Sequence, residues 1–340
     1  MTSEARQRRP FPLHLIFIMG PAAMALGGCE GAQSVLAPGG VDARVIARLG
    51  WIVFTAGALI FAVVMGLIAY AMLGQETRRR WAASHGFIVG GGIVFPVVTL
   101  TALLIYGLML TADIGRGSGA PALSVDVTGE QFWWRVRYRG EGGEAALDAA
   151  NEVHVPVGRP VELTLRASDV IHSFWVPSLA GKLDMIPGQE NRLTLTAERP
   201  GTYRGQCAEY CGAQHSLMAF HVVAHAPEDF QRWLADRRAP TAEPATDAAR
   251  RGRDLFLQAG CGACHAIRGT QAVGAIGPDL THIGSRQWIG AGLMENTGVA
   301  ALAGWVAGAQ HLKPGIRMPS FDGLEAEQIA AIAAYLESLK

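Results

Sequence analysis

The chain has 340 residues, half of them hydrophobic, and its 29 basic and 29 acidic residues give a formal net charge of zero. This length predicts two or three domains. Because the sequence is neutral overall and has no basic patch interleaved with aromatic residues, we expect no nucleic-acid binding. The hydrophobic residues are concentrated in the first third of the chain, which indicates membrane segments followed by extramembrane domains.

The first 28 residues have the pattern of an export signal. Three arginines within residues 6–9 precede an apolar stretch, residues 13–26. A Leu-Gly-Gly sequence then leads into Cys29. This junction resembles a bacterial lipoprotein processing box, in which Cys29 becomes the lipidated first residue of the mature chain. The alternatives are an ordinary signal peptide that is cut nearby and an anchor that is not cleaved.

Two longer apolar stretches, residues 50–73 and 86–110, each exceed the ~20 residues that a helix needs to cross a bilayer. Neither contains a charged residue, which favours membrane spans over buried helices of a soluble core. Pro96 is predicted to kink the second helix. Arginines in the connecting loop place that loop in the cytoplasm by the positive-inside rule. The prediction is a multi-pass hairpin over residues 29–114 in the lipid of a bacterial inner membrane, with the rest of the chain periplasmic.

Residues 121–236 predict an all-β periplasmic domain. Four short runs with alternating apolar residues are typical of half-buried strands: residues 122–128, 132–138, 161–167 and 193–197. Turn-rich segments separate the runs, which favours an antiparallel sandwich or barrel. A linker, residues 237–247, rich in Ala, Pro and Thr, follows this domain.

Soft metal ligands are concentrated in a twelve-residue run that begins at Cys207 and ends at Met218. Cys211 and His215 lie inside it, and His172 lies 35 residues before Cys207. Sulfur ligands combined with imidazoles select copper. A blue-copper site uses one cysteine, whereas two cysteines can bridge a pair of copper ions, each with one histidine and one weak ligand. A disulfide between the two cysteines is the alternative.

The same run resembles the copper-binding loop of cytochrome c oxidase subunit II, and residues 168–177 and 182–188 are similar to that family as well. The resemblance covers roughly residues 50–224. It implies a cupredoxin fold and a binuclear copper centre held by five side chains and one carbonyl: His172, Cys207, Cys211, His215, Met218 and the carbonyl of Glu209. It also implies that the Glu209 carboxylate faces a Mg²⁺ ion shared with subunit I.

The aromatic pair Trp133 and Trp134 resembles the patch through which this family accepts electrons from a cytochrome. Strand alternation places the two rings on opposite faces, so we expect one in the core and the other near the surface. One departure concerns the second membrane helix, where the family usually has a carboxylate. No carboxylate occurs between Glu76 and Asp113. Glu76 or His85 would serve instead, or proton uptake differs.

Residues 248–340 predict an all-α, class I cytochrome c domain. The sequence Cys261-Gly-Ala-Cys264-His265 is the covalent c-haem attachment signature, with His265 as the proximal iron ligand. A redox disulfide or half of a zinc site is the alternative for the two cysteines, but no second cysteine pair remains to complete a zinc site. The Pro278 loop resembles the loop whose proline carbonyl orients the proximal histidine.

Helices are predicted over residues 248–258 and 326–339, the second with apolar residues at helical spacing. Met318, just before the closing helix, is the expected distal ligand. Met294, His282 and His311 are the alternatives.

These expectations describe the electron-input subunit of a haem–copper terminal oxidase, a proton-translocating oxidoreductase. The chain itself would only transfer electrons, from a cytochrome donor through its own haem and copper to the oxygen-reducing subunit I, beside a subunit III. The rivals are the electron-input subunit of a nitric oxide reductase and a membrane-tethered copper-binding or electron-carrier protein without a catalytic partner. A quinol oxidase subunit is disfavoured, because that branch lacks the copper ligands.

Overall fold

The computed structural model describes residues 31–74, 80–114, 120–140 and 146–340. The predicted export signal, Cys29 and Glu76 lie outside the described residues. Arg80 is the one residue of the predicted basic loop, residues 75–80, that the structure describes.

Two long apolar helical segments open the described chain. Helix α1 spans Val41–Leu73, and the second segment consists of α2 (His85–Val89), a π-helical turn (Gly90–Val94) and α3 (Phe95–Asp113). Both are long and apolar enough to cross a membrane. The irregularity predicted from Pro96 takes the form of the π-helical turn just before it, a common way for a helix to absorb a break in its hydrogen-bond ladder.

The start of α1 is attached to the domain that follows the two helices. The amide of Gly39 donates to the Ser178 carbonyl at 2.7 Å, and the amide of Val41 donates to the Thr196 carbonyl at 3.1 Å. These backbone hydrogen bonds fix the start of α1 against the domain that contains Ser178 and Thr196.

Residues 123–225 form a sandwich of two five-stranded sheets, here the sandwich domain. Its ten strands are β1 (Leu123–Glu130), β2 (Trp133–Tyr138), β3 (Leu147–Ala150), β4 (Glu152–Pro156), β5 (Val161–Ala167), β6 (His172–Trp175), β7 (Leu183–Met185), β8 (Asn191–Leu195), β9 (Gly201–Cys207) and β10 (Ala219–His225). The strand orders are β3-β2-β1-β5-β8 and β4-β10-β9-β6-β7. The cupredoxin-like sandwich is therefore confirmed.

The sheets are mixed, so the expectation of an antiparallel sandwich or barrel was wrong in the strand directions. Strand β1 pairs parallel to β5, and β10 pairs parallel to β4. The chain enters the second sheet at β4 and returns to the first at β5, so neighbouring strands there are joined by crossovers rather than hairpins. The predicted alternation holds in β5, where Val161, Leu163 and Leu165 are fully buried.

Helix α4 (Pro227–Arg238) follows β10, and the C-terminal domain then begins with α5 (Asp247–Gln258). A short hairpin of β11 (Trp288–Ile289) and β12 (Met294–Glu295) precedes α6 (Val299–Leu312) and α7 (Ala326–Ser338). The helical cytochrome-like domain is confirmed, and the observed ends of α5 and α7 lie within one residue of those predicted. Helices α4 and α6 were not predicted.

Helices α5 and α7 pack closely because α5 has a glycine where the two backbones approach. A Cβ atom on Gly252 would lie 1.9 Å from the Ala331 carbonyl oxygen. The contact holds together the core of the C-terminal domain, in which Phe256 of α5 and Tyr335 of α7 lie with ring centroids 5.9 Å apart.

We therefore expect Gly252→Ala to lower the free energy of unfolding of the C-terminal domain by about 1–3 kcal/mol, the usual range for overpacking. Gly304→Ala in α6 is the matched control, since a Cβ there meets no atom within 4 Å. The control should be neutral or raise stability by about 1 kcal/mol through helix propensity. Denaturant unfolding of the full chain measures both, and equal effects of the two substitutions would contradict the close packing.

Candidate metal and cofactor sites

The twelve-residue run from Cys207 to Met218 forms a loop at one end of the sandwich. Cys207 ends β9, and Met218 directly precedes the antiparallel partner β10. The Cys207 amide donates to the Met218 carbonyl at 3.0 Å, which closes the loop at its base. His172 begins β6, the other neighbour of β9 in the same sheet. All five side chains therefore meet at this end of the sandwich.

Each cysteine sulfur lies beside its own histidine and its own weak donor. The Cys207 Sγ is 3.8 Å from the His172 Nδ1 and 3.2 Å from the Glu209 carbonyl oxygen. The Cys211 Sγ is 3.7 Å from the His215 Nδ1 and 3.7 Å from the Met218 Sδ.

The two halves of the site are close together and shielded from water. The ligand atoms of His172, Cys207 and Cys211 all lie within 4.8 Å of one another. Both cysteines are free thiols, so the disulfide alternative is not formed. Met218 and the two cysteines are all less than 5 % exposed.

The imidazole of His172 is held on its far side by a carboxylate. Asp169 Oδ1 lies 2.9 Å from the His172 Nε2, which directs the Nδ1 toward Cys207. Burial by itself lowers the pKa of His172, but the hydrogen bonds to Cys207 and Asp169 outweigh it and raise that pKa. The sequence carried no expectation for Asp169; its position three residues before His172, in the bend that leads into β6, was the available signal.

The two thiols share their protons unequally. A hydrogen bond from Cys211 and further ones from His172 and the backbone lower the pKa of Cys207. The same contact with Cys207, together with burial, raises the pKa of Cys211. One sulfur is therefore already prepared to act as a thiolate, the form that binds metals.

Glu209 presents its carbonyl and its carboxylate to different surroundings. The carbonyl faces the Cys207 sulfur at 3.2 Å, whereas the half-exposed carboxylate pairs with Lys182 at 3.3 Å. Lys182 also lies 3.4 Å from Asp184. An exposed group of two carboxylates and one lysine therefore lies beside the sulfur site.

A second site lies in the C-terminal domain, around an apolar cavity of about 300 Å³. Its lining includes both signature cysteines, the adjacent histidine and the predicted distal ligand: Cys261, Cys264, His265 and Met318. The three alternative distal ligands are not among the lining residues. His282 instead contacts the Arg237 carbonyl at 3.0 Å, and His311 is exposed at the end of α6.

The orientation of His265 is fixed by the loop that the sequence singled out. The His265 Nδ1 donates to the Pro278 carbonyl at 2.8 Å, which leaves the Nε2 as the acceptor. Burial lowers the pKa of His265 and thereby favours the neutral ring that binds metals. Gly277 is required beside it, since a Cβ there would lie 2.6 Å from the imidazole.

The two tryptophans separate as strand alternation predicts. Trp134 is 1 % exposed and packs in the sandwich core, with its ring 6.2 Å from that of His172. Trp133 is only half-buried and lines the cavity of the C-terminal domain, beside His265. Adjacent residues of one strand therefore face the two candidate sites.

A buried polar cluster also joins the two domains, and the sequence did not indicate it. Glu152 of β4 accepts hydrogen bonds from the amides of Gln287 and Trp288 at 2.8 and 3.2 Å. The ring of His221 in β10 stacks on Trp288, with centroids 4.6 Å apart. Burial lowers the pKa of His221 to about 4.

The residues present fit the groups that the sequence implies. Two thiols, two imidazoles, a thioether and a carbonyl form a soft donor set that suits copper rather than magnesium or calcium. In the C-terminal domain, two free thiols and a neutral, oriented imidazole face an apolar cavity, with a thioether in the same lining. These are the groups that covalent attachment and axial ligation of a c-type haem require.

Two families match the chain. The family described as "Cytochrome C oxidase subunit II, periplasmic domain" matches residues 126–225, and the family described as "Cytochrome c" matches residues 249–340.

Curated relatives match a larger share of the chain. "Cytochrome c oxidase subunit 2" of Alkalihalophilus pseudofirmus is 39% identical over 252 residues, which cover 73% of this chain and 71% of the relative. The protein of the same name from Bacillus subtilis is 28% identical over 352 residues, which cover 96% of this chain and 97% of the relative. Among solved structures, the periplasmic domain of subunit II of cytochrome oxidase of Bradyrhizobium japonicum is 28% identical, with a TM-score of 0.33, over 35% of this chain and 96% of that one.

The shifted pKa of His221 predicts acid sensitivity of the contact between the domains. The pKa of about 4 in the folded chain lies below the ordinary 6.5, so the unfolded chain binds the extra proton first. Stability is therefore complete at neutral pH and is lost as the pH falls from about 6.5 toward 4. Among the described residues, the His221 Nδ1 has no hydrogen-bond partner to stabilise a charged ring.

We expect His221→Phe, which keeps a stacking ring, to reduce the loss of unfolding free energy between pH 7 and pH 5 by about 2 kcal/mol, at 1.36 kcal/mol per pKa unit. Denaturant unfolding of both proteins at the two pH values measures the difference. An equal loss in the variant and the parent would show that His221 does not carry this pH dependence.

Proposed function

The chain belongs to the cytochrome c oxidase subunit 2 family, and from that premise we propose that it is the electron-input subunit that carries a binuclear copper centre and a covalent haem. Membership makes it a subunit of a haem–copper oxidase that carries a cytochrome c domain. The cofactor ligands, the direction of electron flow and the partners are the content of the proposal. When bound, the haem and the copper pair each supply one-electron redox chemistry.

In the sandwich domain, we assign the two thiolates as bridges between two copper ions. The distances support one imidazole and one weak donor for each metal, His172 with the Glu209 carbonyl on one side and His215 with Met218 on the other. This symmetrical division of donors around two adjacent sulfurs is the observation that carries the proposal. A mononuclear site would need only one of the two cysteines.

In the C-terminal domain, we assign Cys261 and Cys264 to covalent haem attachment, His265 as the proximal ligand and Met318 as the distal ligand. The cavity lining supports this choice, since Met318 belongs to it and the alternatives do not. A methionine ligand raises the reduction potential of a haem, which suits a relay between a cytochrome and copper.

The electron path that we propose runs from an external cytochrome donor to the haem of this chain, on to the copper pair, and then to subunit I. Trp133, which borders the cavity, and Trp134, whose ring lies 6.2 Å from that of His172, are the candidates for the step between the two centres. The exposed carboxylate of Glu209 is the candidate ligand for Mg²⁺ at the contact with subunit I. Subunit III completes the proposed assembly.

The proposed location is the inner membrane of a bacterium. Helices α1 to α3 would cross it twice, with the arginine-rich loop in the cytoplasm and both large domains periplasmic. The sequence has no carboxylate between Glu76 and Asp113, so proton translocation by the assembly would use another group. Among the described residues the candidate is His85, the first residue of α2. Processing at Cys29 also remains part of the proposal.

Electron paramagnetic resonance and visible spectroscopy of the full chain, matured with haem and loaded with copper, test the proposed function. We expect a seven-line copper hyperfine pattern, because one unpaired electron is shared equally by two copper nuclei, together with a low-spin haem spectrum. A four-line pattern would indicate a mononuclear site and contradict the binuclear assignment. Met318→Ala serves as the internal control, since it should change the haem spectrum and leave the copper pattern unchanged.

The hydrogen bond between Asp169 and His172 gives a second prediction. We expect Asp169→Asn to weaken copper binding about 10–100-fold, the usual effect of removing a carboxylate that orients a ligating histidine. Competition with a copper chelator measures the affinity. Asp148→Asn is the matched control, because Asp148 pairs with Arg137 at 2.7 Å in the other sheet. A similar change in both variants would mean that Asp169 does not support the site.

Oxygen uptake by the purified assembly distinguishes the oxidase from its rivals. Consumption of oxygen with a reduced cytochrome supports the proposal. Turnover of nitric oxide alone would favour the reductase, and isolation of the chain without partners would favour a tethered carrier.

A further inference from the structure

A lysine of the C-terminal domain is buried at the contact with the sandwich domain. Lys313 directly follows α6. It is only 1 % exposed, although lysine side chains are charged and seldom fully buried. Its Nζ donates to the carbonyl oxygens of Phe132 at 2.9 Å, Leu217 at 2.7 Å and Gly290 at 3.0 Å. Phe132 and Leu217 belong to the sandwich domain, and Gly290 belongs to the C-terminal domain.

The three acceptors match the chemistry of an ammonium group. A protonated lysine has three N–H donors and no acceptor, so three carbonyls satisfy it completely. A guanidinium has five N–H donors in a fixed planar fork, so three carbonyls would not satisfy it completely. Only three of the 29 basic residues of this chain are lysines, namely Lys182, Lys313 and Lys340. A lysine at this position therefore departs from the chain's preference for arginine.

Its acceptors Leu217 and Phe132 place this ammonium group next to a proposed copper ligand and next to the tryptophan pair. Leu217 directly precedes Met218 in the loop from Cys207 to Met218, here called the copper loop. Phe132 directly precedes Trp133. A neighbouring bond strengthens the same contact, since the Gln214 side chain donates to the Pro314 carbonyl at 2.6 Å. The copper loop and the segment that leads to Met318 are therefore joined at two consecutive residues of the C-terminal domain.

The C-terminal domain also covers the face of the sandwich domain that carries Trp133, here called the tryptophan face. Trp133 borders the same cavity as Cys264 and His265. Arg135 lies over the Trp133 ring at 4.7 Å and donates to the Ala275 carbonyl at 2.9 Å. The half-buried ring therefore lies between its own strand and the C-terminal domain, which leaves only part of it accessible to a separate protein.

We propose that Lys313 clamps the C-terminal domain onto the sandwich domain in one fixed orientation, so that the chain's own haem site occupies the tryptophan face and an external donor must dock on the C-terminal domain instead. This inference rests on the proposed function for the identity of the two centres. Lys313 is a positioning residue: it holds the two domains in register and is none of the proposed copper or haem ligands, although its side chain borders the cavity of the C-terminal domain. In each transfer the external donor loses one electron and the copper pair gains one, with no bond formed or broken.

Lysine acylation of the wild-type full chain in detergent, followed by mass spectrometry, tests the clamp directly. The side chains of Lys182 and Lys340 are 48% and 64% exposed and serve as controls in the same sample. We expect Lys313 to react at least about tenfold more slowly than Lys340, because its reaction requires the domains to separate. Modification of Lys313 at the rate of Lys340 would overturn the proposal. This readout does not depend on haem or copper.

Lys313→Leu tests the consequence for electron transfer, since leucine has no ammonium group and, unlike methionine, adds no iron ligand to the cavity that Lys313 borders. The haem of the variant that carries haem and copper is photoreduced, and the rate of electron transfer to copper is then measured. We expect this rate to be at least about tenfold lower than in the parent. A factor of about ten corresponds to 1.4 kcal/mol of docking free energy. The copper and haem spectra should stay unchanged. Lys340→Leu is the matched control and should transfer electrons at the parental rate.

The outcomes separate this inference from the proposed function. Missing copper or haem spectra in the wild-type chain would contradict the proposed function, while the acylation result would still decide the clamp. Intact spectra with an unchanged transfer rate in Lys313→Leu would overturn the clamp alone. If the variant does not fold, protection of Lys313 in the wild-type chain supports the clamp, and its free reaction overturns it.

Discussion

The hydrogen bond between the Cys207 amide and the Met218 carbonyl is the constraint from which the rest of the sulfur site follows. It lies where the antiparallel strands β9 and β10 separate, and it forces the intervening residues to return within the width of two neighbouring strands. Four donor side chains and one donor carbonyl are thereby confined to one end of the sandwich. The register of β6 on β9, which pairs Phe174 with Cys207, then brings His172 to the same end.

Such a loop buries polar groups, so each of them needs a partner before any metal arrives. The sulfurs contact each other, two imidazoles and a carbonyl, and Asp169 satisfies the outer nitrogen of His172. Asp169 in turn accepts a hydrogen bond from the backbone amide of Gln131 at 2.7 Å. Because the Gln131 side chain also donates to the Cys211 carbonyl at 2.7 Å, the segment that carries the two tryptophans is connected to the loop from Cys207 to Met218.

The connection between the domains is held along its length and is not a free tether. After α4, the Thr241 hydroxyl donates to the Arg268 carbonyl at 3.0 Å, and Arg268 donates to the carbonyl of Arg237. On the other side of the contact, the Ala219 amide, at the start of β10, donates to the Ala291 carbonyl at 3.0 Å. The proposed electron transfer between the two sites would depend on a fixed separation, and these bonds provide it from both sides.

The sequence by itself determined the domain types and the set of candidate metal donors, because both depend on local features. Long uncharged stretches, alternating strands and the spacing of Cys207, Cys211, His215 and Met218 are all contained within short segments. Strand alternation likewise anticipated that Trp133 and Trp134 face opposite sides. Only the tertiary structure decided what lies across from each residue. The pairing of Asp169 with His172, the parallel β1–β5 and β4–β10 pairs and the burial of Lys313 against Phe132 and Leu217 join segments through sheet register and domain contact, and no local pattern encodes those.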